Sequence, residues 1–307
     1  MQTTSTILMI EPVCFGFNEQ TAENNYFQKN DDTQISEIQA NALNEFQNMV
    51  ILLRKCGVNV IVVQDTAEPR TPDSIFPNNW ISFHDGGLIA IYPMFAQNRR
   101  QERRVEIIDT VVNQGFTLNE IIDFSASEND GKFLEGTGSM VLDRVNHLAY
   151  AALSQRTNEA VLFDFCRKMN FKPVIFNAMQ TVEDKRLPIY HTNVVMSVGD
   201  EFAVVCLQSV DNEHERNILK KSLFKTRKNI VEISQEQMHN FAGNLLQIEN
   251  SQGNKFIALS QTAYNSLGNR QLSILKKHGT LLPVEIDTIE KYGGGSVRCM
   301  MAEVFCN

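Results

Sequence analysis

The sequence predicts an α/β fold of five strand-strand-helix-strand units closed into a ring, and three observations predict it. Polar or reactive residues recur at a nearly fixed step: Asn79, Glu135, His191, Asn244 and Cys299 lie 56, 56, 53 and 55 residues apart. Around each of them the same order of patterns returns: an apolar hairpin, a helical periodicity, then another apolar run. The last run, CMMAEVF, has no hairpin partner, and neither does ILMIE near the N-terminus, so the two chain ends complete one unit. A fixed period of this kind marks one supersecondary unit copied along the chain. Set radially, equivalent positions face one another, and a Cys, a His and a Glu meet at the axis. An open α/β sheet of two domains uses the same elements, but it leaves the shared phase of the polar residues unexplained.

The elements follow in order. Ile35, Ile38, Ala42, Phe46, Met49, Val50 and Leu53 stand at helical spacing, Gly57 stops the helix, and VNVIVV (58–63) is a buried strand. WISFH and LIAIY flank Asp85-Gly86-Gly87, a hairpin signal; a charged helix over 97–114 and the strand EIIDF follow. SMVLD and LAYAAL flank Arg144–His147, ahead of a helix over 158–169 and the strand PVIF. HTNVVMSV and FAVVCLQSV flank Gly199-Asp200-Glu201, ahead of a polar helix over 211–227 and NIVEI. NLLQIEN and KFIALS flank Ser251–Asn254, ahead of a helix over 261–278 and TLLPVEI. No linker or composition shift interrupts the series, so one domain spans 1–307.

Bulk properties narrow the function. With 43% hydrophobic and 21% charged residues the chain has the make-up of a globular protein with a sizeable core. A net charge of −8 leaves no basic stripe to neutralise phosphates, which excludes nucleic acid as a partner. No apolar run approaches the ~20 residues of a membrane span. The N-terminal segment lacks a basic region ahead of a long apolar core, so it reads as a first strand and not a secretory signal. The six cysteines (14, 56, 166, 206, 299 and 306) are scattered without metal or disulfide spacing, which suits a reducing cytoplasm.

Three residues carry the chemistry. Cys299 lies in GGGSVRC, whose glycines permit close backbone approach; Arg298 beside it would favour the thiolate, the nucleophilic form. Alone, such a cysteine also fits a packed strand edge. His191, in PIYHTNVVMS, begins a strand and is placed either as a core imidazole or as a general acid/base for Cys299. Glu135, in FLEGTGS, needs a partner if buried, because an unpaired carboxylate is costly to desolvate. The other histidines (84, 147, 214, 239 and 278) fall in turns or polar helices and are expected at the surface. Asn244 has no motif and is expected to pack beneath the cleft.

Taken together, PDSIFPNNW (72–80), NRRQE (98–102), LEG (134–136), LSQRTNE (153–159), the His191 strand and GGGSVRC (293–299) resemble the penteins. These are the guanidino-group-modifying superfamily of arginine deiminases, dimethylarginine dimethylaminohydrolases and amidinotransferases. The resemblance implies a five-bladed ββαβ propeller with pseudo-five-fold symmetry. It implies Cys299 as nucleophile, His191 as acid/base and Glu135 as the carboxylate at the reacting centre. It further implies that Arg156 and either Arg99 or Arg100 clamp a substrate α-carboxylate, where a planar bidentate donor fits, and that Asp73 holds the α-amino end. Neither metal nor organic cofactor is implied; the partner is a small amino acid, and homodimerisation is left open.

Departures from the pattern point to the substrate. Members acting on arginine hold its cation with acidic side chains, whereas here the aligned positions are Asn78 and Asn79, and Asn193 follows two after the histidine. A buried cation without carboxylates is expensive, and a neutral ureido group does not demand them. The expected reaction is therefore hydrolysis of citrulline to ornithine, ammonia and carbon dioxide through an S-carbamoyl thioester on Cys299. The alternatives are a guanidino hydrolase of the arginine deiminase or dimethylarginine type, an amidinotransferase, and a catalytically silent ligand cup.

Overall fold

The computed structural model describes residues 1–305 and has a mixed α/β fold. Five three-stranded sheets of one make follow one another along the chain. Four begin with an antiparallel pair: Ile81–His84 with Leu88–Ile91, Val141–Asp143 with Leu148–Ala152, Met196–Val198 with Phe202–Val205, and Leu246–Glu249 with Lys255–Ser260. A third strand then lies parallel to the second: Glu120–Asp123, Lys172–Phe176, Asn229–Glu232 and Thr280–Val284 respectively. The remaining sheet joins the two ends of the chain. Ala302–Val304 runs antiparallel to Thr6–Glu11, which runs parallel to Asn59–Gln64, so that Thr6 faces both Val304 and Asn59.

A parallel return requires a crossover, usually a helix. Ile35–Lys55, Val105–Asn113, Glu159–Lys168 and Glu213–Lys225 supply four of them. Each buries one stripe; in the first it is Ile38, Ala42, Phe46, Met49, Val50 and Leu53, the residues picked out by their spacing. Middle strands are covered on both faces, as in wholly buried Phe202–Val205, so they read as continuous apolar runs and not as alternation. Among the described residues the buried apolar side chains form four clusters, and the largest draw on more than one sheet: Phe176, Val204 and Ile257 share one, and Ile7, Val60 and Ala258 share another. The N-terminus stitches sheets together: Gln2 Nε2 donates to Leu142 O (2.9 Å) and Val198 O (3.2 Å), and Glu249 N donates to Thr4 O (3.1 Å). Among the described residues no helix is long and apolar enough to cross a membrane.

The structure departs from the sequence expectations in four places. The strands read as starting at His191 and Cys299 begin later, at Met196 and Ala302, because one helical turn intervenes: Thr192–Val195 and Val297–Met300. The same device occurs at Pro77–Asn79 and Gly136–Ser139. A turn at this point lets one side chain swing out of the alternation of the strand. Second, the helix expected over 97–114 divides into a 3₁₀ turn, Asn98–Glu102, and Val105–Asn113; the helix over 261–278 divides into Gln261–Ser266 and Asn269–Leu275, with Gly268 as the cap between. Third, a ribbon of Met179–Val182 and Lys185–Pro188, unforeseen in the sequence, leads into His191. Fourth, His84 is buried, not at the surface: it bonds Ser82 Oγ (2.7 Å) and Arg144 Nη1 (3.1 Å), and burial pushes its pKa well down.

Candidate active site

The turns ahead of the hairpins bring side chains from all five units together. Glu135 Oε2 lies 2.7 Å from His191 Nε2, while its Oε1 accepts from Phe95 N at 2.9 Å. Arg156 Nη1 is 3.5 Å from the same carboxylate. Asn79 Oδ1 accepts from Arg99 Nη1 at 2.7 Å. Asn244 Nδ2 and Asn193 Nδ2 approach Cys299 Sγ to 3.2 and 3.5 Å. Cys299 and His191, from distant parts of the chain, line one cavity together with Asp73, Phe76, Asn79, Arg99, Arg156 and Tyr190. It measures only about 10 Å³, room for roughly one water molecule.

Charge in this site is set by burial and neighbours. Burial alone would raise Glu135, but Arg156, the His191 hydrogen bond and Arg99 outweigh it and hold the carboxyl well below its ordinary range. Burial pushes His191 down from 6.5 to about 4, although Glu135 works in the other direction. The resting pair is therefore a carboxylate and a neutral imidazole. Since the carboxylate accepts from Nε2–H, the lone pair is on Nδ1. Asp73 Oδ2 accepts from Asn18 Nδ2 (2.8 Å) and Thr21 Oγ1 (3.0 Å) while its Oδ1 has no partner among the described residues; burial raises its pKa and Arg99 opposes that.

Not every residue singled out in the sequence reaches the cavity. Glu135 is fully buried and does not line the cavity; its carboxylate meets His191 and Arg156 instead. Asn78 turns aside to donate to Thr137 Oγ1 at 3.1 Å. Arg100 points outward: its Nε donates to Met94 O (3.0 Å), and it pairs with Glu128 and lies over Phe133. Of the two arginines, Arg99 is therefore the one at the cavity. Arg298 also leaves the thiol, bonding Met301 O (3.0 Å) and Glu303 Oε2 (2.7 Å). Its guanidinium is turned away from the sulfur, unlike the arrangement expected from the sequence, because adjacent residues of a 3₁₀ turn project about 120° apart.

Several residues at the site carried no signal in the sequence. Tyr190 packs against His191 with ring centres 4.6 Å apart and the rings tilted by 39°, donates to Gly294 O at 2.5 Å and lies beneath the Arg156 guanidinium. Thr21 and Asn25 come from a polar stretch without periodicity. They cap the cavity: Arg156 Nη2 donates to Thr21 O (2.7 Å), and Arg156 Nε donates to Asn24 Oδ1 (2.7 Å).

Gly136 and Gly138 are required by close approach. Gly136 has φ of 44°, and a Cβ there would lie 2.4 Å from Asn78 O. At Gly138 a Cβ would fall 2.4 Å from Asn79 Nδ2 and 2.7 Å from His191 Cε1. Gly138→Ala is expected to lower kcat by roughly 10²-fold, the cost of an ångström of misplacement; steady-state kinetics beside a circular dichroism spectrum would check this.

The buried neutral imidazole also predicts a pH dependence of stability. The unfolded chain takes up a proton near pH 6.5 that folded His191 refuses until about 4. Its contribution is therefore full above pH 6.5 and is lost as pH falls toward 4, by roughly 3 kcal/mol. Denaturant unfolding at pH 7 and 5 should show a larger loss in the wild type than in His191→Gln.

Comparison with known proteins bears on fold and family. The N-terminal domain of ArgZ, crystallised covalently bound to a reaction intermediate, superposes with a TM-score of 0.72 at 14% identity, covering 98% of this chain and 97% of that one. Full-length ArgZ is an arginine dihydrolase from the ornithine-ammonia cycle in cyanobacteria; it gives 0.75 at 13%, with 98% of this chain matched to 41% of that one. DDAH from Pseudomonas aeruginosa, a cysteine variant complexed with citrulline, gives 0.64 at 16% over 99% and 100% of the two chains. At such identities these likenesses establish the fold. Curated protein sequences yield no match. The family model described as N,N dimethylarginine dimethylhydrolase, eukaryotic, matches residues 11–306, nearly the whole chain, and the protein belongs to that family.

Proposed function

We propose that the protein is a cysteine-dependent hydrolase that cleaves a C–N bond in the ureido or guanidino group of an arginine-derived amino acid. The observation that carries this reading is the convergence of Cys299 and a Glu135-held His191 on one enclosed cavity, with Arg99 and Arg156 in its wall. We read the five sheets as blades of one closed ring forming a single domain, which the hydrogen bond from Glu249 to Thr4 between the last and first sheets supports.

In this mechanism the Cys299 thiol passes its proton to Nδ1 of His191 as sulfur attacks the central carbon. Asn79 stabilises charge that develops on the substrate. His191 then gives the proton to the departing nitrogen and the C–N bond breaks. Water adds to the thioester, losing a proton to His191, and the C–S bond breaks to restore the thiol. Glu135 steadies the imidazolium formed at each transfer. Arg156 and Arg99 bind the substrate carboxylate, and Asp73 Oδ1 binds the amino group. A substrate of this size exceeds the cavity, so Thr21 and Asn24 must release Arg156 for its carboxylate to enter.

The names of the structural neighbours favour a guanidino substrate, and Asp73 Oδ1 is an acceptor that a cation could use. A specific feature of this chain favours a neutral ureido group such as that of citrulline. Asn79 Nδ2 is a buried donor without a partner among the described residues, and its direction is fixed because Arg99, which only donates, takes Oδ1. A ureido oxygen accepts from Nδ2; a guanidinium has no acceptor to offer. Ammonia and ornithine release should be measured with citrulline, arginine, methylated arginines and agmatine. Citrulline is expected to lead arginine in kcat/KM by at least ~100-fold, about 2.7 kcal/mol, and Asn79→Asp to narrow the gap. Preference for arginine would establish the guanidino reading, transfer to an added amine the transferase one, and binding without turnover the ligand cup.

A further inference from the structure

We propose that Asn244 is the fixed hydrogen-bond donor to the Cys299 sulfur, a catalytic residue that stabilises negative charge on it when it attacks and again when it departs. The inference rests on Cys299 being the nucleophile, as proposed above. Asn244 is fully buried, and both ends of its carboxamide are tied to main chain. Its Oδ1 accepts from Arg298 N at 3.1 Å, and its Nδ2 donates to Asn193 O at 3.0 Å. A flipped amide would set NH₂ against N–H and oxygen against oxygen, so the orientation is not free. A carboxamide has two N–H groups; one serves Asn193 O and the other meets Sγ at 3.2 Å.

Its competitor at the sulfur is less constrained. Asn193 Nδ2 is 3.5 Å from Sγ, and Asn193 Oδ1 has no partner among the described residues, which enforce neither orientation of that amide. Arg298, the adjacent cation, is spent on Glu303. The cavity that Cys299 lines also carries the charged or titratable groups of His191, Asp73, Arg99, Arg156 and Tyr190. Asn244 also bridges the residue before the nucleophile to the turn that follows His191, so it fixes the sulfur relative to the imidazole. In the first step the thiol proton goes to His191, the S–C bond forms and the C–N bond breaks. In the second, water adds, the C–S bond breaks, and sulfur leaves with the electron pair toward the same N–H. A hydrogen bond to a charged acceptor of this kind corresponds to roughly tenfold to a hundredfold in rate or equilibrium.

The test follows the pH dependence of iodoacetamide alkylation at Cys299, located by peptide mass spectrometry, in wild type, Asn244→Ala and Asn244→Asp. This readout needs no substrate. The midpoint is expected to move up by about one pH unit or more in Asn244→Asp, which sets a carboxylate against the sulfur, and by less in Asn244→Ala. At neutral pH kcat should fall at least tenfold and recover in part as pH is raised. Circular dichroism identifies any variant that does not fold; Asn244→Ser, which keeps a small polar group, then replaces it. Folded variants with the wild-type midpoint would overturn the inference while leaving Cys299 as nucleophile. Turnover persisting in Cys299→Ser would overturn the nucleophile reading itself, and the two failures are told apart by that control.

Discussion

Cys299→Ala abolishes turnover, with kcat falling by at least ~10⁴-fold, while a substrate or product amino acid still binds. The magnitude is that of removing the nucleophile from a covalent mechanism, in which the remaining groups do not act independently. Binding is expected to survive, because on the proposed reading Arg99, Arg156 and Asp73 would hold the amino-acid end, and they are anchored separately from the sulfur. Arg99 makes two contacts to Glu102, at 2.9 and 3.0 Å, and Arg156 is tied to Glu135. Isothermal titration of the alanine variant, beside an ammonia assay, checks both halves. Cys206→Ala is expected to be nearly silent, since its sulfur packs against Ser209 Oγ (3.2 Å) within the apolar core. Cys306, for which the same silence is expected from the sequence, lies outside the described residues.

Glu135→Gln is the second large effect, and it acts on rate and stability together. The carboxylate receives N–H groups from Phe95, His191 and Arg156. An amide keeps one acceptor but turns its NH₂ toward another donor, and it removes the charge that offsets buried Arg156. Breaking a buried pair in this way costs about 3–5 kcal/mol. The imidazole also loses the partner that fixes its tautomer. A carboxylate-to-amide change at a comparable acid-imidazole pair lowers kcat about 10⁴-fold in serine proteases, and a loss of ~10³–10⁴-fold is expected here. Kinetics and denaturant unfolding of the same variant separate the two effects. A folded variant with wild-type kcat would remove Glu135 from any role in orienting His191.

Most of the sheet order was legible in the sequence because covered strands must be apolar on both faces and hairpins need turn residues between them. Gly57, Asp85-Gly86-Gly87 and Gly199-Asp200 marked boundaries that the structure keeps. The common phase of the five polar residues was legible because each unit repeats one order of elements, which sets Asn79, Glu135, His191, Asn244 and Cys299 at equivalent places ahead of their strands. What the sequence does not carry is direction within a single turn. Arg99 and Arg100 are adjacent, as are Arg298 and Cys299, yet in each pair only one side chain reaches the cavity. A 3₁₀ turn separates neighbours widely, and the choice between them is made by tertiary partners such as Glu102, Glu128 and Glu303. His84 was misplaced because the turn beside it outweighed the burial of its strand. The capping residues Thr21 and Asn25 belong to a polar stretch whose only order comes from contacts made elsewhere in the chain.

A quenched-flow experiment on wild-type protein tests the central claim most directly. Enzyme mixed with citrulline, and separately with arginine, is stopped in acid within a turnover, digested and examined by peptide mass spectrometry. A one-carbon adduct, carbamoyl from citrulline or amidino from arginine, is expected on the peptide that carries Cys299 and is expected to be absent from Cys299→Ser. Turnover with no adduct on any cysteine, or an adduct confined to a different residue, would contradict it.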